Sequence, residues 1–345
     1  MNKKLIIVAT VFLVAISVYF TLSSAHHQAV EESLEELLEL TEIAQVEVDY
    51  ESMTTSLFTN SFSLKNVTII SNSRSARRSG VDELLINKIT IDQDLSLSDD
   101  FDGYSKTVYP KRLSIELEGI HSDADIRQLS MLLQQDEDTA DIISDVLEDE
   151  LLVNINFTYD FRPKDDGSLS VSALISIDNL IGVELDLSVT DFPKRPSKLF
   201  VLGPGSMKKL AKVKLKNASF LIKDDATFIT TLIQAAAESE NIDLEDELEK
   251  FEDEIASGLE VIESQKTSRK DVKVISDFVE SNVPKLIDFI SDSEKLEIRV
   301  SPDRALSVLK IAERISKIEN ARDAKKGAKL TADLIEDLNI KLHTN

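Results

Sequence analysis

The chain has no cysteine and no tryptophan, and only four histidines among its 345 residues. The missing cysteine excludes disulfides, thiolate metal sites and a cysteine nucleophile together. It leaves the compartment open, because an oxidising space permits disulfides without requiring them. The supply of nucleophiles, bases and stacking groups is thin, which argues against an enzyme. Positive charge is also scarce: 39 Lys and Arg face 63 Asp and Glu, for a formal net charge of −24. Such a surface repels polynucleotides and anionic headgroups, so nucleic acid is not an expected partner. What is present is ordinary for a folded protein. A hydrophobic share of 42% beside 30% charged residues is too apolar for a disordered chain. The length allows one large domain or two coupled ones.

The N-terminus carries the one long hydrophobic run. Lys3 and Lys4 precede an uncharged apolar stretch that begins at Leu5 and ends at Leu22, about the length needed to cross a bilayer. The next positive residue is Lys65, whereas Glu31, Glu32, Glu35, Glu36 and Glu39 follow the run closely. That bias predicts a cytoplasmic N-terminus and a domain on the periplasmic side of an inner membrane. Ser23-Ser24-Ala25 also resembles a cleavage site, so a removed signal peptide competes with a retained anchor; the run is longer than most secretory cores, which favours retention.

Beyond the run, residues 29–43 predict an acidic amphipathic helix. Alternation then predicts strands. Phe62 and Leu64 share one parity and Val67 and Ile69 the other, which suggests a bulge near Lys65 and Asn66. Residues 123–150 have helical spacing. The clearest strand follows, with Leu151, Val153, Ile155, Phe157, Tyr159 and Phe161 on one side. Two more follow: Leu169, Val171, Ala173, Ile175 and Ile177 share a face on one, and Val183, Leu185, Leu187 and Val189 on the next. This is an antiparallel meander with one apolar and one wet face. Residues 193–205 form the best internal boundary. A strand over 210–222 changes parity near Asn217, again suggesting a bulge. Three helical stripes follow, the third interrupted by Pro284, which predicts a kink or restart. A short strand ending at Pro302, a helix around 306–318 and a final strand at Leu338, Ile340 and Leu342 complete the chain.

The expected fold class is α+β: an extended antiparallel sheet with helices packed on its apolar face, preceded by one transmembrane helix. The expected divisions are 1–28 as cytoplasmic tip and anchor, 29–192 as a mainly antiparallel-β part, and 206–345 as a helix-rich α+β part continuous with the preceding sheet. Phe157, Tyr159, Phe161, Ile175 and Leu187 are the candidates to line an apolar groove or, equally, a closed core.

No catalytic, cofactor-binding or metal-binding set emerges. His121 has no nucleophile-elbow motif beside it, and His26 and His27 are adjacent residues outside any core. The acidic run at 238–254 is accounted for as the wet face of an amphipathic helix. Asp100-Phe101-Asp102-Gly103 fails as a calcium loop, because its register places Ser98 first and Tyr109 last. Ser206 to Lys209 and Ser307 to Lys310 match Ser-x-x-Lys without the accompanying elements. Gly203-Pro204-Gly205 before Lys208 and Lys209 lacks phosphate-loop spacing.

One resemblance adds to this. The anchor, then Val46-Glu47-Val48-Asp49-Tyr50, then Ser61-Phe62-Ser63-Leu64-Lys65-Asn66-Val67-Thr68-Ile69 resembles the start of AsmA-like and YdgA-like bacterial envelope proteins. Ala218-Ser219-Phe220-Leu221-Ile222-Lys223-Asp224 leading into an alanine-bearing helix at 232–237, an acidic helical segment, and a strand at 296–302 ending in proline are similar to relatives in that group. The resemblance implies a role in envelope lipid homeostasis for larger members, no agreed activity for smaller ones, and no catalytic residues to transfer. Together these readings predict a non-catalytic, membrane-anchored envelope protein that binds lipid or another hydrophobic ligand. The alternative is a protein-interaction scaffold for an inner-membrane complex. The expected partners are the inner membrane, lipid or an envelope protein, with no cofactor.

Overall fold

The computed structural model describes residues 46–56, 61–71, 83–94, 112–121, 152–162, 167–193, 211–224, 228–239, 243–264, 267–291, 294–321 and 323–344. The expected anchor from Leu5 to Leu22, the helices at 29–43 and 123–150, and residues 194–205 of the expected boundary lie outside that set. Among the described residues no helix is long and apolar enough to cross a membrane.

Alternating apolar residues form the strands β1 (Val46–Ser56), β2 (Ser61–Ser71), β3 (Glu83–Asp94), β4 (Arg112–His121), β5 (Val153–Arg162), β6 (Ser168–Ile177), β7 (Ile181–Thr190) and β8 (Lys214–Asp224). Helices α1 (Phe228–Ser239), α2 (Leu244–Ser264) and α3 (Arg269–Ser291) follow. Then come β9 (Lys295–Val300), β10 (Leu306–Ser307), α4 (Val308–Glu319), α5 (Ala324–Leu338) and β11 (Ile340–Thr344). The eleven strands make a large antiparallel sheet in which β1 to β9 pair in chain order, β11 lies next to β9, and β10 pairs with β8. The expected α+β class is borne out at that level. The chain divides into two compact units. The first holds β1 to β4, most of β5 and the end of β6; the second holds the start of β6, β7 to β11 and the five helices.

In the first unit the apolar residues of β2, β3 and β4 form one core. Val67, Ile86, Ile91 and Ile115 are almost wholly buried, each stabilising by about 1.5–3 kcal/mol. A row of irregular residues crosses these strands. Tyr50 pairs with Val67 and Ser52 with Lys65, skipping Glu51 and Asn66. Between β3 and β4 the pairs Ile86 with Ile120 and Lys88 with Glu118 skip Asn87 and Gly119. Asn66 and Gly119 have φ of 48° and 62°, a left-handed backbone that Asn and Gly tolerate. Buried positions change parity across this row: Leu64 to Val67 in β2 and Ile86 to Ile89 in β3. The parity change expected at Lys65 and Asn66 is therefore present, but its form is corrected. β2 carries no extra residue against β1 or β3, because the neighbouring strands turn over in the same row and the register is kept. The Asn66 side chain donates to the Glu51 carboxylate, and the Gly119 N–H donates to Asn154 Oδ1 at 2.8 Å.

In the second unit helices cover part of the sheet. Phe278, Leu286, Phe289 and Ile290 of α3 and Ile229 of α1 pack on Ile222, Leu296, Ile298, Ile340 and Leu342 of β8, β9 and β11. A second cluster joins α3, α5 and α2, where Ile275 meets Ala328 and Ala332 with Leu259 and Ile262 against them. Ala328 and Ala332 are four apart, so both lie on one face of α5. The bulge expected near Asn217 is present: Ser188 pairs with Asn217 and Val189 with Leu215, which leaves Lys216 as the extra residue. α3 runs through Pro284 as one helix, so the expected restart does not occur. Beside the proline the buried Asn282 donates to Phe278 O at 2.7 Å and accepts from the Leu342 N–H at 3.1 Å, tying α3 to β11. α5 was not expected as a separate helix. Its buried positions include Ala328 and Ala332 beside Ile335 and Leu338.

Candidate functional site

The five candidate lining residues fall in both units. Phe157 and Tyr159, in the first, are partly buried, their rings edge-on at 6.5 Å. Ile175, also in the first, is 53% exposed. In the second unit Phe161 is buried and stands edge-on to Phe192 at 5.7 Å. Leu187 is partly buried and pairs with Ala218.

The apolar face of the second unit extends beyond its helix cover. Val183 pairs with Ile222, Leu185 with Phe220 and Leu187 with Ala218, so these side chains share one face. Ile222 lies under α1 and α3, whereas Leu185, across from Phe220, remains 49% exposed. The sequence placed Leu185 on this face but did not single it out. Alternation identifies a face and carries no information on what covers it.

The end of β7 and the start of β8 border a second feature, a cleft of about 810 Å³. Lys212 and Lys214 come from the turn and first residue of β8, Lys310 from the first turn of α4, and Asp191, Phe192 and Ser307 complete the part that bears charge and shape. Several contacts hold these groups. Ser307 pairs with Lys214 across β10 and β8, and the Val308 N–H donates to Val213 O at 3.0 Å. The Phe192 N–H donates to Gly167 O at 2.9 Å. A Cβ at Gly167 would lie 2.8 Å from Phe192 O, so this close approach needs glycine. Lys214 pairs with Asp191 at 2.8 Å. Ser307 is the N-cap of α4, yet its hydroxyl donates to Ala211 O at 2.9 Å instead of capping. The Ser307 and Lys310 motif therefore contains a hydroxyl committed to a backbone carbonyl and a lysine on the cleft wall.

Among the described residues, two other titratable groups make local structural contacts. His121 Nδ1 lies 3.0 Å from Gly119 O. Asp224, the one buried carboxylate among the described residues, accepts from the Phe228 and Ile229 N–H groups at 2.6 and 2.8 Å. It caps α1. Among the described residues no three of His, Asp and Glu gather as metal ligands. Two lysines are held above their ordinary 10.5. Lys88 is raised first by its hydrogen bond to Glu118, and Lys270 first by its hydrogen bond to Glu336. Both are surface ion pairs, and none of their residues lines the cleft.

No protein-family model matches the chain, and a search of curated proteins finds no match either.

Proposed function

We propose that this is a membrane-tethered, periplasmic envelope protein of non-catalytic type that binds the acyl chain of a lipid along the β7–β8 strand face. The observation that carries the reading is the half-exposed Leu185, paired with Phe220 on a face whose continuation is helix-covered core. An exposed aliphatic edge continuous with a core gives an acyl chain somewhere to add apolar contact at about 25 cal/mol per Å² buried. The apolar run from Leu5 to Leu22 supports the same reading, since a tether to the inner membrane holds the domain beside its ligand. The partial likeness to AsmA-like proteins points the same way.

The test is native mass spectrometry of the full chain released from a mild neutral detergent. Lipid retained at near-stoichiometric level in the parent protein and lost in Leu185→Ser is the expected result. A lipid-free mass in both overturns the reading.

A second reading, a scaffold for an inner-membrane complex, rests on α2. Phe251 and Val261 are 37% and 50% exposed there, beside an acidic patch containing Asp246, Glu249, Asp253 and Glu254. A basic partner docked on α2 is expected to dissociate as salt rises. Binding unchanged between low and high salt counts against it.

A further inference from the structure

We propose that the cleft between the start of β8 and the first turn of α4 is a binding site for a phosphate group. Among the described residues, three lysines line it against one carboxylate, Asp191, in a chain whose net charge is −24. Lys214 is matched by Asp191, which leaves Lys212 and Lys310 as the cationic excess. Both are exposed and carry no carboxylate partner among the described residues. In an acidic protein, chance placement of cations favours pairing with the abundant carboxylates; two unmatched lysines facing one concavity concentrate positive potential there.

The backbone adds donors to the same wall. Ser307 turns its hydroxyl to Ala211 O, so no side chain caps α4, and no acidic residue stands in its first turn. Of the N–H groups that open α4, that of Val308 is taken by Val213 O, and those that follow remain available to an anion, with the helix dipole favouring negative charge. Lysines act as point charges on phosphate oxygens. A volume of about 810 Å³ accommodates a phosphate ester rather than the inorganic ion alone. The shared chemistry is a phosphate ester, carried either by a small soluble molecule or by a lipid headgroup. The inference does not rest on the acyl-chain reading, which concerns a different face.

The experiment is isothermal titration of the full chain in neutral detergent with glycerol 3-phosphate and, separately, with a short-chain phosphatidate. Saturable binding of either supports the site: the soluble ester alone identifies a free ligand, the phosphatidate alone a headgroup. Lys212→Gln and Lys310→Gln, both exposed and tolerant of change, are each expected to weaken binding about tenfold. Lys329→Gln, an exposed lysine on α5, is expected to leave it unchanged. No saturable binding of either probe overturns the inference. Equal loss in Lys329→Gln, or no loss in the Lys212→Gln/Lys310→Gln double variant, overturns it too.

Discussion

Single residues in this protein matter most where they fix backbone direction. Gly119 adopts φ of 62°, and a Cβ there would lie 2.2 Å from Asn87 Nδ2 and 2.7 Å from its Cγ. The left-handed backbone costs a non-glycine residue about 1–2 kcal/mol, and the clash adds to that. Gly119→Ala is therefore expected to lower unfolding free energy by at least about 2 kcal/mol, measured by urea denaturation. Adding Asn87→Gly is expected to return only the steric part; full recovery would mean the backbone is unstrained there. Asp224 acts on a helix instead. It satisfies two N–H groups that open α1 while its own N–H donates to Glu294 O at 2.7 Å. Asp224→Ala leaves those two donors unpaired, and a loss of about 1–2 kcal/mol follows. A denaturation midpoint unchanged in the variant would show that solvent replaces the cap.

At the scale of elements, the helices of the second unit are joined by small-residue packing and by surface ion pairs. Lys270 of α3 donates to Glu336 of α5 at 2.9 Å. Because the folded state holds Lys270 above its ordinary 10.5, its contribution is fully present below that pH and is lost as pH rises through the folded value. Lys270 is largely exposed, so the effect is small and screened by salt. The parent protein and Lys270→Met are expected to differ slightly in thermal midpoint at neutral pH and to converge above pH 10.5. A difference that persists at high pH would assign it to packing of the lysine stem. The β7–β8 pair shows the limit of pattern at this scale. Leu185 and Leu187 have the same parity and residue type, yet Leu185 stays open and Leu187 is partly buried.

For the molecule as a whole, charge and topology are the governing terms. The bias of Lys3 and Lys4 against the acidic residues after the apolar run predicts that residues beyond Ser23 lie outside the cytoplasm. A reporter active only in the periplasm, fused after Asn345, is expected to be active, and a silent one sinks the orientation. The acidic balance sets the background for both binding readings. A net −24 disfavours anionic ligands everywhere except where cations outnumber carboxylates locally, as they do in the lysine cleft.

The strands, the change of parity at Asn66 and the extra residue near Asn217 were legible in the sequence, because a period of two reports directly on the pleat. The amphipathic stripes of α2 and α3 were legible for the same kind of reason. Tertiary structure alone decided the rest. It kept register from β1 to β4 across the Asn66 row, because Asn87 and Gly119 on neighbouring strands turn over together, a correlation that one-dimensional spacing does not contain. It carried α3 through Pro284, where packing of Phe278, Leu286 and Phe289 on the sheet outweighs a local helix penalty. It also set Lys212, Lys214 and Lys310 around one cleft. Lys310 is nearly a hundred residues from the other two, and the pairing of β10 with β8 helps to bring them together.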